Sequence, residues 1–149
     1  FVESRITEGE RLKEDLFDKL DGMIRDVDAI EDRYPQIMTE YREKLTLKVE
    51  ELLGDAQMEE GRIAAEVILF ADKICTDEET VRLRSHIESM REELLGGGSV
   101  GRKLDFLAQE MNREANTILS KANDLETSNR AINLKTEIEK VREQIQNIE

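Results

Sequence analysis

Apolar residues recur at alternating spacings of four and three along most of this chain, and that rhythm constrains the fold more than any other feature. One unbroken run is formed by Leu104, Ala108, Met111, Ala115, Ile118, Ala122 and Leu125. A helix with 3.6 residues per turn places residues at these spacings on one face. No segment shows the alternation of apolar and polar residues that is typical of a strand. The sequence therefore predicts an all-α protein.

Capping signals and a proline divide the first two thirds of the chain into helices. We expect a long helix over residues 7–53, opened by the capping box Thr7–Glu10 and kinked or interrupted near Pro35. Two helices follow over residues 59–94, and the second is opened by another capping box, Thr76–Glu79. The first helix is far longer than a compact bundle of this size requires.

The last third of the chain predicts a helical hairpin. A glycine-rich linker covers residues 96–101, and the hairpin occupies residues 102–148 with its turn at "ETSN", residues 126–129. Two consecutive helices with a four-three rhythm and a short connection pack in an antiparallel manner. We therefore predict one all-helical domain over residues 1–149 that resembles an antiparallel bundle or coiled coil and forms an oligomer.

Charge limits the partners of this chain. Charged residues make up 38% of the sequence, aromatic residues 4%, and the formal net charge is −13. Such a balance repels nucleic acids and anionic membranes, so a polyanionic partner needs a local basic patch or metal ions. The sequence contains no apolar run of the roughly 18–20 residues that cross a bilayer. The single cysteine excludes an internal disulfide and fits a reducing compartment.

The helix over residues 102–126 carries more amides than solubility requires. Its polar stripe consists of Asp105, Gln109, Asn112 and Asn116, and Arg102 and Arg113 share its outer face. Asparagine is a poor helix former because its amide competes for backbone hydrogen bonds. One interpretation is a solvated helix surface, and the other is a surface whose amides bind a partner chain, a phosphate or a base edge.

Acidic residues occupy the opposite flank of the same helix. Glu110 and Glu114 are one turn apart, with Lys103 and Lys121 roughly in line. Two carboxylates at this spacing can share Mg²⁺ or Mn²⁺, although the pair alone is a weak signal. Arg102 and Lys103 follow the glycine run at a helix N-terminus, where free N–H groups favour a phosphate.

His86 is the only histidine in the chain, and it lies beside the apolar stripe of its helix. It shares a flank with Glu79 and Arg82, at spacings of seven and four. One interpretation is a surface histidine with a local ion pair. The other is a metal ligand or a general acid or base, because an unperturbed imidazole titrates near neutral pH.

Several blocks of the sequence carry a resemblance to a known family. "GRKLDFLAQEMNREANTILSKAND" and "LKTEIEKVREQIQNIE", preceded by "EGERLKEDL", "FADK" and "DEETVRLRSHIESM", resemble the C-terminal half of the bacterial YicC/YloC family in the same order. The resemblance spans nearly all 149 residues. It implies that the family's β-rich N-terminal domain is absent from this chain and that Glu149 lies at or near the natural C-terminus.

The resemblance also implies a function. It implies a cytoplasmic endoribonuclease that depends on a divalent cation and acts on single-stranded or structured RNA. It also implies assembly into a ring-like oligomer, which we expect to be a hexamer. We therefore expect a metal-dependent cleavage of RNA phosphodiester bonds. The predicted ligands of Mn²⁺ or Mg²⁺ are Glu79, Glu110 and Glu114. The predicted catalytic residues are His86, Arg102, Lys103 and Arg113. The predicted RNA-binding residues are Arg102, Lys103, Gln109, Asn112, Arg113 and Asn116.

Two alternatives stay open at this stage. If His86 removes a 2′-hydroxyl proton, the products carry a 2′,3′-cyclic phosphate; if a metal-bound water attacks, they carry a 3′-hydroxyl and a 5′-phosphate. The chain can also be a non-catalytic oligomerisation and adaptor module that docks a ribonuclease or another protein. The net charge favours the adaptor, and the resemblance favours the enzyme.

Overall fold

The computed structural model describes residues 2–53, 60–96 and 101–148, which form five helices. These are α1 (Val2–Leu53), α2 (Glu60–Ile74), α3 (Asp77–Gly96), α4 (Gly101–Lys121) and α5 (Leu125–Ile148). The described residues contain no strand, so the all-α prediction is confirmed. None of these five helices is long and apolar enough to cross a membrane.

The first half of α1 forms a four-helix bundle with α3, α4 and α5. α1 packs against α3 and α5, and α4 packs against the same two helices, so α1 and α4 stand at opposite corners. The core is built from the predicted stripes, with Met23, Ile87, Met111 and Ile138 among its fully buried side chains. Burial of these stripes is the main force that holds the helices together.

Ion pairs fix the direction of α3 relative to α1. Arg91 donates to Asp21 at 2.6 Å, and Arg84 donates to Glu31 through Nε at 3.1 Å and Nη2 at 2.8 Å. The partner residue number on α3 falls as the residue number on α1 rises, so α1 and α3 are antiparallel. The short segment between α4 and α5 likewise makes that pair antiparallel, as the sequence predicts.

The second half of α1 leaves the bundle and pairs with α2. We call residues 37–53 of α1 and 60–74 of α2 the arm. The rings of Tyr41 and Phe70 stack across it, with centroids 3.8 Å apart, and the Tyr34 hydroxyl donates to the Ala71 carbonyl oxygen at 3.1 Å. The exposed large apolar residues of the arm are Leu47, Leu52, Leu53, Ile68 and Leu69.

The structure corrects one predicted boundary in α1 and decides between two outcomes at Pro35. The helix already runs from Val2, so the capping box at Thr7–Glu10 is wrong: the backbone N–H groups there lie inside a helix and need no cap. α1 also continues through Pro35, so the interruption does not occur. The bundle holds the segment before Pro35 and α2 holds the segment after it, and this packing outweighs the loss of one backbone donor.

The turn between the last two helices also differs from the prediction. It lies at residues 122–124 and not at 126–129. Asp124 explains the shift, because its Oδ2 accepts the backbone N–H of Thr127 at 3.1 Å and so caps α5. α1 ends at Leu53 and α3 opens directly after Thr76, both as predicted. The glycine-rich linker falls largely on residues 97–100, outside the described residues.

A buried ion pair closes the α3–α4 interface at one end. Glu79 is 4% exposed, and Lys121 donates to Glu79 Oε1 at 2.7 Å and to the Cys75 carbonyl oxygen at 3.1 Å. Burial raises the pKa of Glu79, but the hydrogen bonds from Lys121 and from the backbone N–H of Glu79 outweigh it, and the resulting pKa is below the ordinary 4.5.

We expect the core of the bundle, and not the arm, to determine stability. Ile87 is 0% exposed and Ile68 is 61% exposed. Ile87→Ala leaves a cavity and should lower the free energy of unfolding by about 2–5 kcal/mol. The same change at Ile68 should alter it by no more than about 0.5 kcal/mol. Urea denaturation of both variants measures this, and equal losses would contradict the assignment of the core.

The Glu79–Lys121 pair predicts a pH-dependent loss of stability. Because the folded-state pKa of Glu79 is lowered, its contribution is complete above about pH 4.5 and is lost as the pH falls through the lowered value. Glu79→Gln should cost about 1–3 kcal/mol at pH 7 and progressively less in acid. Glu78→Gln is the matched control, since its side chain is 84% exposed and should matter little. A cost for Glu79→Gln that stays constant down to pH 2 would contradict this account.

Candidate functional site

Polar residues line the edge where α3 and α4 meet, and we call this line the polar seam. Its α3 side consists of Glu79, Arg82, His86 and Glu93, and its α4 side consists of Lys103, Glu110, Glu114 and Lys121. Besides the Glu79–Lys121 pair, Arg82 donates to Glu114 through Nε at 2.9 Å and Nη2 at 3.1 Å, and Lys103 pairs with Glu93. These pairs make α3 and α4 antiparallel.

The register of these pairs brings His86 to the level of Glu110. His86 lies one turn after Arg82 on α3, and Glu110 lies one turn before Glu114 on α4. Arg82 and Glu114 lie opposite each other on antiparallel helices. One turn forward along α3, to His86, therefore covers the same distance in the same direction as one turn back along α4, to Glu110. The fold therefore places the histidine beside the Glu110–Glu114 turn.

His86 and Glu110 differ from the rest of the seam in having no partner. Both side chains are half-buried, and neither forms a hydrogen bond or an ion pair with any other described residue. On either side of them, the glutamates of the polar seam are bound by arginine or lysine side chains. An imidazole and a carboxylate at one level, both accessible and neither engaged, are suited to proton transfer at a bound molecule.

Glu114 has a structural partner. It is buried, and the guanidinium of Arg82 binds both of its oxygens in the bidentate geometry that makes such pairs strong. The hydrogen bond with Glu114 raises the pKa of Arg82 further above its ordinary value. Sequence reasoning assigned no role to Arg82 or Lys121, although opposite charges on facing flanks of two apolar stripes were a readable signal.

The predicted metal ligands fit a dedicated cation site poorly. Lys121 binds Glu79 and Arg82 binds Glu114, so a cation would have to displace a base from each. Glu110 alone among the three has no basic partner within the described residues. Those residues also contain no group of three or more histidine, cysteine or acidic side chains that could hold a metal ion. Metal binding by Glu79, Glu110 and Glu114 stays a prediction.

The amide stripe of α4 lies on the flank away from His86. Asp105 opens this stripe and accepts from Gln109 at 2.9 Å and from Arg142 of α5 at 3.3 Å. The stripe therefore faces α5, whereas the seam faces α3. Asn112 and Asn116 continue it, the first half-buried and the second exposed. The structure thus separates the predicted amides from the predicted proton-transfer residue.

The outer face of α4 lies between these two flanks. Arg102 and Arg113 are exposed on it and form no ion pair within the described residues, whereas Lys103 is held by Glu93. Phe106 is 57% exposed between the two arginines. Sequence reasoning missed Phe106, although its position outside the four-three rhythm already indicated that it faces outwards.

Comparisons with known proteins agree with the resemblance. The family model described as "Endoribonuclease YicC-like, C-terminal" matches residues 30–149. A "Probable endoribonuclease YicC" of Clostridioides difficile (strain 630) is 45% identical over 148 residues, which are 99% of this chain and 50% of that relative. A protein of the same description from Haemophilus influenzae (strain ATCC 51907 / DSM 11121 / KW20 / Rd) is 38% identical over 149 residues, 100% of this chain and 51% of the relative.

The coverage of these matches shows which part of its relatives this chain corresponds to. It spans about half the length of the curated relatives that it matches. The family model covers most of the chain, and both relatives align along nearly all of it. This chain belongs to the YicC-like endoribonuclease family and corresponds to its C-terminal region.

Proposed function

We propose that this protein is an endoribonuclease and that RNA binds across the polar seam and the outer face of α4. Relatives described as probable endoribonucleases support the reaction class. One observation supports this location for the RNA-binding site. His86 and Glu110 have no side-chain partner in the described residues, whereas the other charged residues of the polar seam are paired. Side chains that have no partner in an otherwise paired interface can contact a substrate without displacing an existing ion pair.

His86 supplies the proton transfer in this proposal. Its imidazole removes the proton of a ribose 2′-hydroxyl, and the 2′-oxygen attacks the adjacent phosphorus. The bond from phosphorus to the 5′-oxygen breaks, and that oxygen takes a proton from solvent. The products are a 2′,3′-cyclic phosphate and a 5′-hydroxyl. Glu110, at the same level, stabilises the imidazolium that forms.

Arg102 and Arg113 bind phosphate in this proposal. The chain carries a net charge of −13, so an RNA strand is attracted only where lysine or arginine side chains have no acidic partner. The two arginines meet this condition, and Phe106 between them offers a ring on which a base can stack. The backbone N–H groups at the start of α4 add donors for a phosphate. Lys103, Gln109, Asn112 and Asn116 are secondary contacts, because Glu93 holds Lys103 and the amides face α5.

Dependence on Mn²⁺ or Mg²⁺ is a separate part of the proposal. The family resemblance supports it, whereas the ion pairs at Glu79 and Glu114 argue against a cation bound by these three carboxylates alone. When bound, a divalent cation would supply charge neutralisation at the phosphate. The cytoplasmic location and the assembly into a hexamer also stay predictions.

A second candidate function is a non-catalytic adaptor that docks a ribonuclease or another protein. The exposed leucines and isoleucines of the arm favour it, because apolar patches on exposed helices are typical of protein interaction surfaces. The same patch is equally suited to contacts between copies of this chain, so it does not exclude the enzyme.

We expect His86 and Glu110 to be required for cleavage. His86→Ala and Glu110→Ala should each lower the rate on labelled RNA, by about 100-fold or more for His86, because proton transfer is lost. Ser85→Ala and Glu143→Ala are matched controls: both residues are exposed and have no side-chain partner in the described part of the chain, and both variants should cleave normally. Full activity of His86→Ala, with circular dichroism confirming the fold, would overturn His86 as the base, whereas absence of cleavage by the wild-type protein would leave only the adaptor.

The product ends distinguish the two chemistries. With His86 as the base, the products should carry 2′,3′-cyclic phosphate and 5′-hydroxyl ends under every condition that supports cleavage. Strict dependence on Mn²⁺ with 3′-hydroxyl and 5′-phosphate ends would contradict this and indicate attack by metal-bound water. Mass spectrometry of the products, with and without Mn²⁺, makes the measurement.

A further inference from the structure

A second polar and aromatic surface lies where the arm meets the turn between α4 and α5. A cleft of about 470 Å³ opens there, lined by α1 and α2 on one side and by Asn123 and Asp124 on the other. It lies at the C-terminal end of α4, remote from Arg102 at the N-terminal end. Nothing in the proposed cleavage site uses its residues.

The cleft contains the only aromatic stack in the described residues. Tyr41 and Phe70 both line it, with ring centroids 3.8 Å apart and an interplanar angle of 12°. Both side chains are half-buried, so part of this stack borders the cleft. A parallel pair of rings extends naturally by a third flat ring, and base–aromatic stacking is a general means of binding unpaired bases.

The charge available in the cleft is positive despite the acidic chain. Lys44 and Lys48 line it one turn apart, both are exposed, and neither pairs with an acid in the described residues. The acids of the cleft are already engaged, since Arg33 donates to Glu40 at 2.8 Å and 2.9 Å and to Asp124 at 3.2 Å. Two free ammonium groups therefore lie beside the aromatic stack.

We propose that this cleft binds a nucleotide of single-stranded RNA, with its base stacked on the Tyr41–Phe70 pair and its flanking phosphates at Lys44 and Lys48. The identity of the ligand rests on the proposed function. The strand must be single, because a duplex leaves no base face free to stack. The arrangement is a substrate-holding site outside the cleavage site.

Direct binding tests this without depending on cleavage. The probe is a labelled 2′-O-methyl oligoribonucleotide about six nucleotides long, studied by fluorescence anisotropy in a chelator, because it lacks the 2′-hydroxyl that cleavage would consume. Tyr41→Leu keeps an apolar side chain but removes the stack, and should weaken binding about 10-fold. Tyr41→Phe keeps the ring, and should bind as the wild type does.

The lysines are tested by the salt dependence of binding. Lys44→Gln combined with Lys48→Gln should make the slope of log Kd against log salt shallower by about 1.4, the value for two lost phosphate contacts on a single strand. Lys13→Gln combined with Arg25→Gln is the matched control, since both residues are exposed on α1 within the bundle and the net charge changes equally. That control should leave the slope unchanged.

The outcomes separate this inference from the proposed function. Weaker binding by Tyr41→Leu and a shallower slope for the lysine variant support the cleft, even if the protein never cleaves RNA. Unchanged binding by both variants overturns the cleft while leaving cleavage at His86 intact. Absence of any binding by the wild type, or equal competition by an acidic peptide or by a duplex, also overturns it.

Discussion

Burial of four apolar stripes in one core is the constraint on which the rest of this structure depends. A helix whose stripe faces the core has no freedom to rotate, so the residues on each side of the stripe must face the neighbouring helices. On α3 and α4 these flanks carry opposite charges, and Arg82 and Glu114 meet across them at 2.9 Å. The level of His86 relative to Glu110 follows from that register. The candidate site is thus a consequence of packing.

Pairing of acids by arginines explains how such an acidic chain can retain basic surfaces. Arg33, Arg84 and Arg91 each bind carboxylates of other helical turns or neighbouring helices. These ion pairs neutralise carboxylates where helices meet. Other basic side chains, such as Arg113 and Lys48, have no acidic partner among the described residues. A formal charge of −13 therefore describes the molecule as a whole but not each face, and local fields decide where a polyanion can approach.

The four-three rhythm predicted much of the fold and only part of the site. It specifies the angle of each residue about its helix, so the core stripes and the two flanks of α4 could be read directly. It does not specify which residues of two neighbouring helices lie opposite each other. That register depends on turns such as residues 122–124, where Asp124 caps α5. For the same reason, Glu79 and Glu114 looked like metal ligands in the sequence but are bound by Lys121 and Arg82 in the fold. Facing charges were visible, but their pairing required the register.

The length of α1 connects the two proposed RNA-binding surfaces. The helix has 52 residues and spans about 80 Å, so its second half projects past the bundle and pairs with α2. This projection places the Tyr41–Phe70 stack beside the turn that ends α4. From that turn, α4 runs back through the level of Glu110 to Arg102, and Glu110 lies about 20 Å from the turn along the helix. Along the axis of α4, the level of His86 and Glu110 therefore lies between the proposed cleft and Arg102. The oversized first helix would then serve to set the distance between the place where RNA is held and the place where it is cut.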